Sequence, residues 1–152
     1  MAMTGTPPYP PSFSDQGRPG VSPNLGREGR DNSDPDDLVA TNLHCRSPLA
    51  SPCDPRNFWI SGYSERHILV EGWAYTGMTL QQVTPFWDPL LLAANDAAFT
   101  DPSEATIAKL RDEYGVRWLF ADLTTADPDA IGRYADLRYR DGDFAVYELR
   151  RP

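Results

Sequence analysis

The stretch NFWISGYSERHILVEGWAYT, residues 57–76, contains the most strand-like run in the first half of the chain. Within it, His67–Glu71 is rich in β-favouring apolar residues, has aromatic side chains on both sides and ends at the polar pair Glu71–Gly72. We therefore expect a central strand from about His67 to Glu71. Two further apolar runs, Leu38–Thr41 and Val116–Asp122, are the expected neighbours of this strand in a sheet.

Three Asp-Pro pairs predict the starts of helices in the second half of the chain. Asp is a favoured N-cap and Pro is favoured at the first helical position, and the pairs begin at Asp88, Asp101 and Asp127. We interpret these aspartates as caps and not as catalytic carboxylates. At Asp101 the order Asp-Pro-Ser-Glu predicts a capping box that uses Glu104. The segment Pro89–Ala98 is apolar on nearly every side, so its helix should be well buried.

Glycines predict where two of these elements end. Gly115 should stop the helix that follows Asp101. The Asp-Gly turn at Asp141–Asp143 separates the alternating segments Leu137–Arg140 and Phe144–Leu149, which predicts an antiparallel hairpin. Because helices connect the other strands, those strands should pair in parallel. The predicted fold class is α/β: a small, mainly parallel sheet with helical crossovers and a C-terminal antiparallel β-hairpin, in two or three layers.

Composition divides the 152 residues into two parts. Residues 1–37 contain seven prolines and almost no large aliphatic residues, so we expect a disordered Pro/Gly-rich tail that cannot offset the entropy of ordering. Residues 38–150 carry all four tryptophans and nearly all the aliphatic residues. They should form a single α/β domain with a real core.

Charge and hydropathy argue against several classes of partner. The net charge of −8 leaves no basic stripe to replace phosphate counterions, so no nucleic-acid partner is expected, and anionic lipid is disfavoured too. No run approaches the roughly 20 apolar residues that span a bilayer. The N-terminus also lacks the pattern of a secretory signal, so the chain as written predicts a cytoplasmic protein.

Two cysteines, Cys45 and Cys53, lie in the Pro/Ser-rich segment HCRSPLASPC. A disulfide between them would stabilise the fold by roughly 2–3 kcal/mol and would require an oxidising compartment. The alternative is two free loop thiols. A zinc site is disfavoured because only His44 and His67 could complete it and no CxxC or HxxxH spacing is present. No metal or cofactor is predicted.

The candidate ligand site follows from the rule that parallel α/β sheets bind ligands at the carboxyl ends of their strands. Three expected strands end in a polar residue, namely Asn42, Glu71 and Asp122, and Thr41 and Gly72 lie beside them. The alternative is that polar residues follow strands simply because loops begin there.

Other side chains near the expected central strand have structural interpretations. Trp73 and Tyr75 follow this strand and are the aromatic residues most expected to contact a sugar, although core packing is the alternative. His67 is interpreted as a partly buried structural histidine, and Arg66 as the partner of Glu65 or another surface acid. The sequence contains no GxGxxG, P-loop, GxSxG or HExxH motif, so no catalytic residue is predicted.

Five stretches and the cysteine loop carry a family resemblance. They are SDPDDLVATN (33–42), CDPRNFWISGYSERHILVEGWAY (53–75), FWDPLLLAANDAAFTDPS (86–103), YGVRWLFAD (114–122) and LRYRDGDFAVYEL (137–149). From about Ser33 to Arg150 the chain thereby resembles the C-terminal soluble domain of actinobacterial polytopic integral membrane proteins of the GT-C glycosyltransferase-like type.

The resemblance implies an extracytoplasmic domain that follows the last membrane span, where a Cys45–Cys53 disulfide would be stable. The catalytic acid of GT-C enzymes lies in the membrane part, so the resemblance implies a non-catalytic accessory domain. Its implied partners are the transmembrane portion or another membrane protein, and a glycan or lipid-linked sugar. The alternative function is a free-standing small α/β enzyme or ligand-binding domain with its site at the strand ends.

The resemblance also implies membrane spans and then a helix leading into the first strand. The segment GREGRDNSDPDD, Gly26–Asp37, has no apolar face that would suit such a helix. A Pro/Gly tail in that position is what a truncated gene product, a mis-assigned start or a detached domain would show.

Overall fold

A computed structural model of the protein describes residues 23–44, 59–71 and 86–152. Along these residues the elements are α1 (Pro23–Asp31), β1 (Leu38–Thr41), α2 (Trp59–Ser64), β2 (His67–Ile68), α3 (Pro89–Thr100), α4 (Glu104–Asp112), β3 (Val116–Asp122), α5 (Pro128–Gly132), β4 (Ala135–Asp141) and β5 (Phe144–Leu149). The strands form one sheet in the order β2-β1-β3-β5-β4. Strand β1 pairs in parallel with β2 and β3, whereas β5 runs antiparallel to β3 and β4. The predicted α/β class is confirmed.

The strand at the centre of the sheet is β3, and the prediction that His67–Glu71 forms the central strand is wrong. Strand β2 contains only His67–Ile68 and lies at the sheet edge. The Leu69 N–H still donates to the Val39 carbonyl oxygen of β1 at 2.8 Å, but Val70 is 1% exposed and packs with Phe86 and Leu91 in a separate cluster beside α3. The end of the apolar run therefore reflects burial against a helix and not strand pairing.

Side chains alternate between two buried faces of the sheet, as the pleat of a strand requires. The first face packs against α3, α4 and α5, and the second face packs against α1 and α2. First-face strand residues include Ala40, Leu119, Ala121, Ala145, Tyr147 and Leu149. Second-face strand residues are Val39, Trp118, Phe120, Phe144 and Val146, which pack with Leu25 of α1 and Ile60 of α2. Helices thus cover the sheet on both sides, in three layers.

Helix α1 lies inside the segment for which composition predicted a disordered tail, and for these residues that prediction is wrong. Its Leu25 is 4% exposed and belongs to the second-face cluster. The expectation that Gly26–Asp37 supplies no helix is also wrong, because residues 26–31 belong to α1. Residues 1–22 of the predicted tail lie outside the described residues.

Helices α3 and α5 begin where the Asp-Pro pairs predicted. The Asp88 carboxylate accepts the Leu91 N–H at 3.1 Å, and Asp127 accepts the N–H of Asp129 at 2.9 Å. Helix α3 is not buried nearly all round, because Leu90 is 77% exposed on its outer side.

The capping box of α4 is shifted from its predicted position. Asp101 is the C-terminal cap of α3, and Ser103 is the N-cap of α4, with Thr106 and not Glu104 closing the box. The two predicted glycine positions hold: Gly115 follows α4 and Gly142 turns the β4–β5 hairpin, both with positive φ.

Candidate functional site

The carboxyl ends of β1 and β3 meet, and they bring together two of the predicted site residues, Asn42 and Asp122. The Asn42 side chain donates to the Asp122 carbonyl oxygen at 3.0 Å and accepts the Asp122 N–H at 2.8 Å. Its Nδ2 also donates to Thr125 Oγ1 at 3.1 Å. This reciprocal pairing extends the β1–β3 contact beyond the ladder, so the Asn42 amide holds the two strand ends together.

Asp122 and Thr41 direct their polar atoms into the protein. Asp122 is 2% exposed, and its Oδ1 accepts the backbone N–H of Thr124 at 3.0 Å and the Thr124 hydroxyl at 2.6 Å. Thr41 is completely buried, and its Oγ1 accepts the Leu43 N–H at 3.0 Å. Both side chains therefore shape the turns that follow their strands and are not accessible to a ligand in solvent.

Glu71 interacts with the start of α2. Its Oε1 accepts the Ser61 N–H at 3.3 Å. Burial raises the pKa of the Glu71 carboxyl, and hydrogen bonds from Ser61 and from the Ile60 N–H oppose that rise. No hydrogen bond of the described residues joins Glu71 to Asn42 or Asp122. The other predicted residues, Gly72, Trp73, Tyr75, Cys45 and Cys53, lie outside the described residues.

A buried histidine–aspartate pair lies next to the strand ends, and sequence reasoning missed it. His44, which follows β1, places Nε2 2.6 Å from Asp96 Oδ1 of α3, with the imidazole 1% and the Asp96 side chain 28% exposed. Because a carboxylate only accepts, this contact assigns the proton to Nε2 of His44. Asn95 donates to the Thr41 carbonyl at 2.9 Å and to Asp96 Oδ1 at 3.1 Å. Two donors thus orient the Asp96 carboxylate.

The signal that would have found this cluster is the polar pair Asn95–Asp96 inside an otherwise apolar helix. Asn95 is completely buried. Its Oδ1 atom has no hydrogen-bond partner among the residues that the structure describes. A buried acceptor in that state costs about 1–3 kcal/mol, so simple core packing does not account for this residue.

A small cleft opens between β1, α3 and the loop after β3, at the carboxyl edge where α/β folds bind ligands. Its volume of about 10 Å³ admits one water-sized group. It is lined by Asn42, His44, Asp96, Phe99, Thr100 and Thr125. Among the predicted strand-end residues that the structure describes, Asn42 lines this cleft, whereas the other lining residues come from the helix and the loops.

Arg66 forms no ion pair with an acidic side chain among the described residues, so that prediction is wrong. Its Nη2 donates to the carbonyl oxygens of Arg30 and Ser33, both at 2.7 Å, and its Nε donates to Ser33 Oγ at 2.8 Å. Arg66 is 9% exposed, so a buried guanidinium caps the carboxyl end of α1. The carboxylate of Glu65 binds Arg30 instead. His67 is exposed and not partly buried.

Two negative findings apply to residues 23–44, 59–71 and 86–152. No three or more His, Cys, Asp or Glu side chains there are grouped so as to hold a metal ion. Within the same residues, none of the helices has both the length and the apolar content that crossing a bilayer requires.

Comparison with protein-family models, with curated protein sequences and with solved structures gave no significant match to this chain.

Proposed function

We propose that this chain is a non-catalytic extracytoplasmic accessory domain of a GT-C-like membrane protein. The observation that carries the proposal is α1. The sequence resemblance implies a helix leading into the first strand, and the helix Pro23–Asp31 stands directly before β1. This supplies the lead-in helix that the composition of the segment had argued against.

The strand ends support a non-catalytic role. The Asn42 side chain is engaged with the backbone of Asp122 at the end of β3, and the Asp122 carboxylate is engaged with Thr124 in the loop after β3. Thr41 is engaged in the same way with the turn after β1. These positions stabilise the edge of the sheet, as expected of a domain that contributes binding surface or shape while a membrane-embedded partner carries out the chemistry.

The proposal is tested by locating the native protein in its host cell. Membrane fractions are separated from cytosol, and spheroplasts are treated with a protease that cannot enter them. We expect the domain to sediment with membranes and to be degraded from outside. A chain that stays in the cytosol and is protected from the protease would overturn the proposal.

The cysteines give an independent readout of the compartment. Intact cells are labelled with a membrane-impermeant maleimide, before and after reduction. An extracytoplasmic domain with a Cys45–Cys53 disulfide should be labelled only after reduction, and a Cys45→Ser, Cys53→Ser double variant should not be labelled at all. Labelling of both thiols only after cell lysis, without any reductant, would place the domain in the cytoplasm.

One observation favours the second candidate, a free-standing ligand-binding α/β domain. The cleft of His44 and Asp96 lies at the carboxyl edge of the sheet. A cytosolic location with reduced cysteines would favour this candidate over the first.

A further inference from the structure

The cleft at the carboxyl edge has a polar lining whose hydrogen bonds define what it accepts. Thr125 Oγ1 receives the Asn42 amide proton at 3.1 Å, and its own hydroxyl proton has no acceptor among the described residues. Thr100 Oγ1 donates to the Asp96 carbonyl oxygen at 3.1 Å, and its lone pairs receive no donor from the described residues. Besides the Asp96 carboxylate, the lining therefore presents one hydroxyl donor and one hydroxyl acceptor.

Charge limits the ligand further. The Asp96 carboxylate lies at the cleft, oriented by His44 and Asn95, and its negative charge opposes an anionic group. An ammonium group has three protons and no lone pair, so it has nothing to offer the Thr125 proton. A neutral hydroxyl both donates and accepts, and the cleft of about 10 Å³ has room for one.

We propose that this cleft binds one hydroxyl group of a polyhydroxylated ligand, which donates to Thr100 Oγ1 and accepts from the Thr125 hydroxyl. The rest of the ligand lies outside, along the edge formed by Asn42 and Asp96. The hydroxyl site follows from the cleft alone, whereas assigning the ligand to a glycan rests on the proposed accessory function.

The test is a titration of the full chain, labelled with ¹⁵N, with methyl α-D-glucopyranoside and with glycerol. We expect saturable shifts at the backbone amides of Thr125, Thr100 and Asp96. Saturable shifts with both probes would show that the site accepts polyols in general. Saturable shifts with the glycoside alone would show that the site is specific for a sugar. The same titration with 1,2-dimethoxyethane, which has no hydroxyl, should give no saturable shift. A cleft that holds only water would show none with any probe, and that result overturns the proposal.

Variants test the hydrogen bonds. Thr125→Val removes the donor and should weaken binding about three- to tenfold, the loss expected for one hydrogen bond, while Thr125→Ser should keep it. The matched control is Thr124→Val, because the Thr124 hydroxyl binds Asp122 and does not line the cleft. Equal affinity in Thr125→Val and wild type would overturn the proposal. These binding measurements do not depend on where the protein lies in the cell. Failure of the hydroxyl site can therefore be distinguished from failure of the accessory function, which the location experiment tests.

Discussion

The two faces of the sheet are covered by helices of different kinds. On the first face, α3, α4 and α5 contribute a continuous cluster of apolar side chains that includes Ala98, Ile107, Leu110 and Ile131. On the second face, α1 contributes one buried leucine, Leu25, and is fastened by a guanidinium from the chain that follows α2.

This difference shows that a helix can be held by its end instead of its side. The segment PNLGREGRD has two glycines within nine residues, and each costs about 1 kcal/mol relative to alanine in a helix interior. Burial of Leu25 alone would scarcely offset that cost. We expect Arg66, which binds two carbonyl oxygens at the carboxyl end of α1, to add to the stabilisation of this helix. The helices of the first face are held by apolar area, whereas on the second face α1 combines one buried leucine with a polar anchor.

The largest effect is expected from removing a first-face leucine. Leu110 is completely buried, so Leu110→Ala should lower the free energy of unfolding by about 2–5 kcal/mol through lost transfer energy and a residual cavity. The matched change Leu25→Ala should cost less and act mainly on α1. Urea unfolding followed by circular dichroism gives the global loss, and amide hydrogen exchange gives the local one. Equal global losses from the two changes would show that both faces are held alike.

The second prediction concerns the anchor. Arg66→Met removes the charged donors from the carbonyl oxygens of Arg30 and Ser33, which should cost about 2–3 kcal/mol and expose the α1 amides to exchange. Arg66→Lys should not restore the helix, because an ammonium lacks the planar fork that spans both carbonyls. The control Arg30→Met breaks only exposed ion pairs with Asp31 and Glu65 and should change little. Unaltered α1 protection in Arg66→Met would show that Leu25 alone holds the helix.

The same division separates what the sequence predicts from what it does not. Strands β1 and β3, the β4–β5 hairpin and the caps at Asp88 and Asp127 follow from signals only a few residues long, and the structure has all of them. The capping box of α4 moved only because Ser103 competes with Asp101 for the same helix start. Local chemistry therefore predicts strands β1 and β3, the hairpin and the starts of two helices that cover the first face.

Contacts between residues distant in sequence were not predictable. Arg66 meets Ser33 across 33 positions and His44 meets Asp96 across 52, and no periodicity records such a pairing. Composition gave the wrong result for α1 because it counts apolar residues, whereas Arg66 acts from outside that segment. The run His67–Glu71 misled for a related reason: its apolar residues indicate burial but not which element buries them.

The third prediction compares two helix ends with positive φ, one behind each face. Gly115 follows α4 with φ of +73°, and Glu65 follows α2 with φ of +53°. No atom lies within 4 Å of a Cβ added at Gly115, so Gly115→Ala should cost about 1 kcal/mol from backbone strain alone. Glu65→Gly should stabilise by up to about 1 kcal/mol, reduced by loss of the exposed contact with Arg30. The urea midpoints of the two variants measure these changes in stability. Destabilisation by Glu65→Gly would mean that the contact with Arg30 outweighs the backbone strain at residue 65.

The smallest effect should be a pH dependence confined to the second face. Burial raises the pKa of Glu71 above its usual 4.5, so between that value and the native pKa the folded state holds a proton that the unfolded state has released. Stability is therefore fully present below pH 4.5 and is lost as pH rises through the native pKa. Glu71→Gln keeps an acceptor for the Ser61 N–H but cannot ionise. The stability of this variant relative to wild type should therefore increase as the pH rises from 4.5 through the native pKa of Glu71. Urea unfolding over pH 4–8 measures the difference. The control for charge is Glu104→Gln, which removes a carboxylate exposed at the start of α4. If stability depends on pH in the same way in both variants, burial of Glu71 has no bearing on how α2 is held.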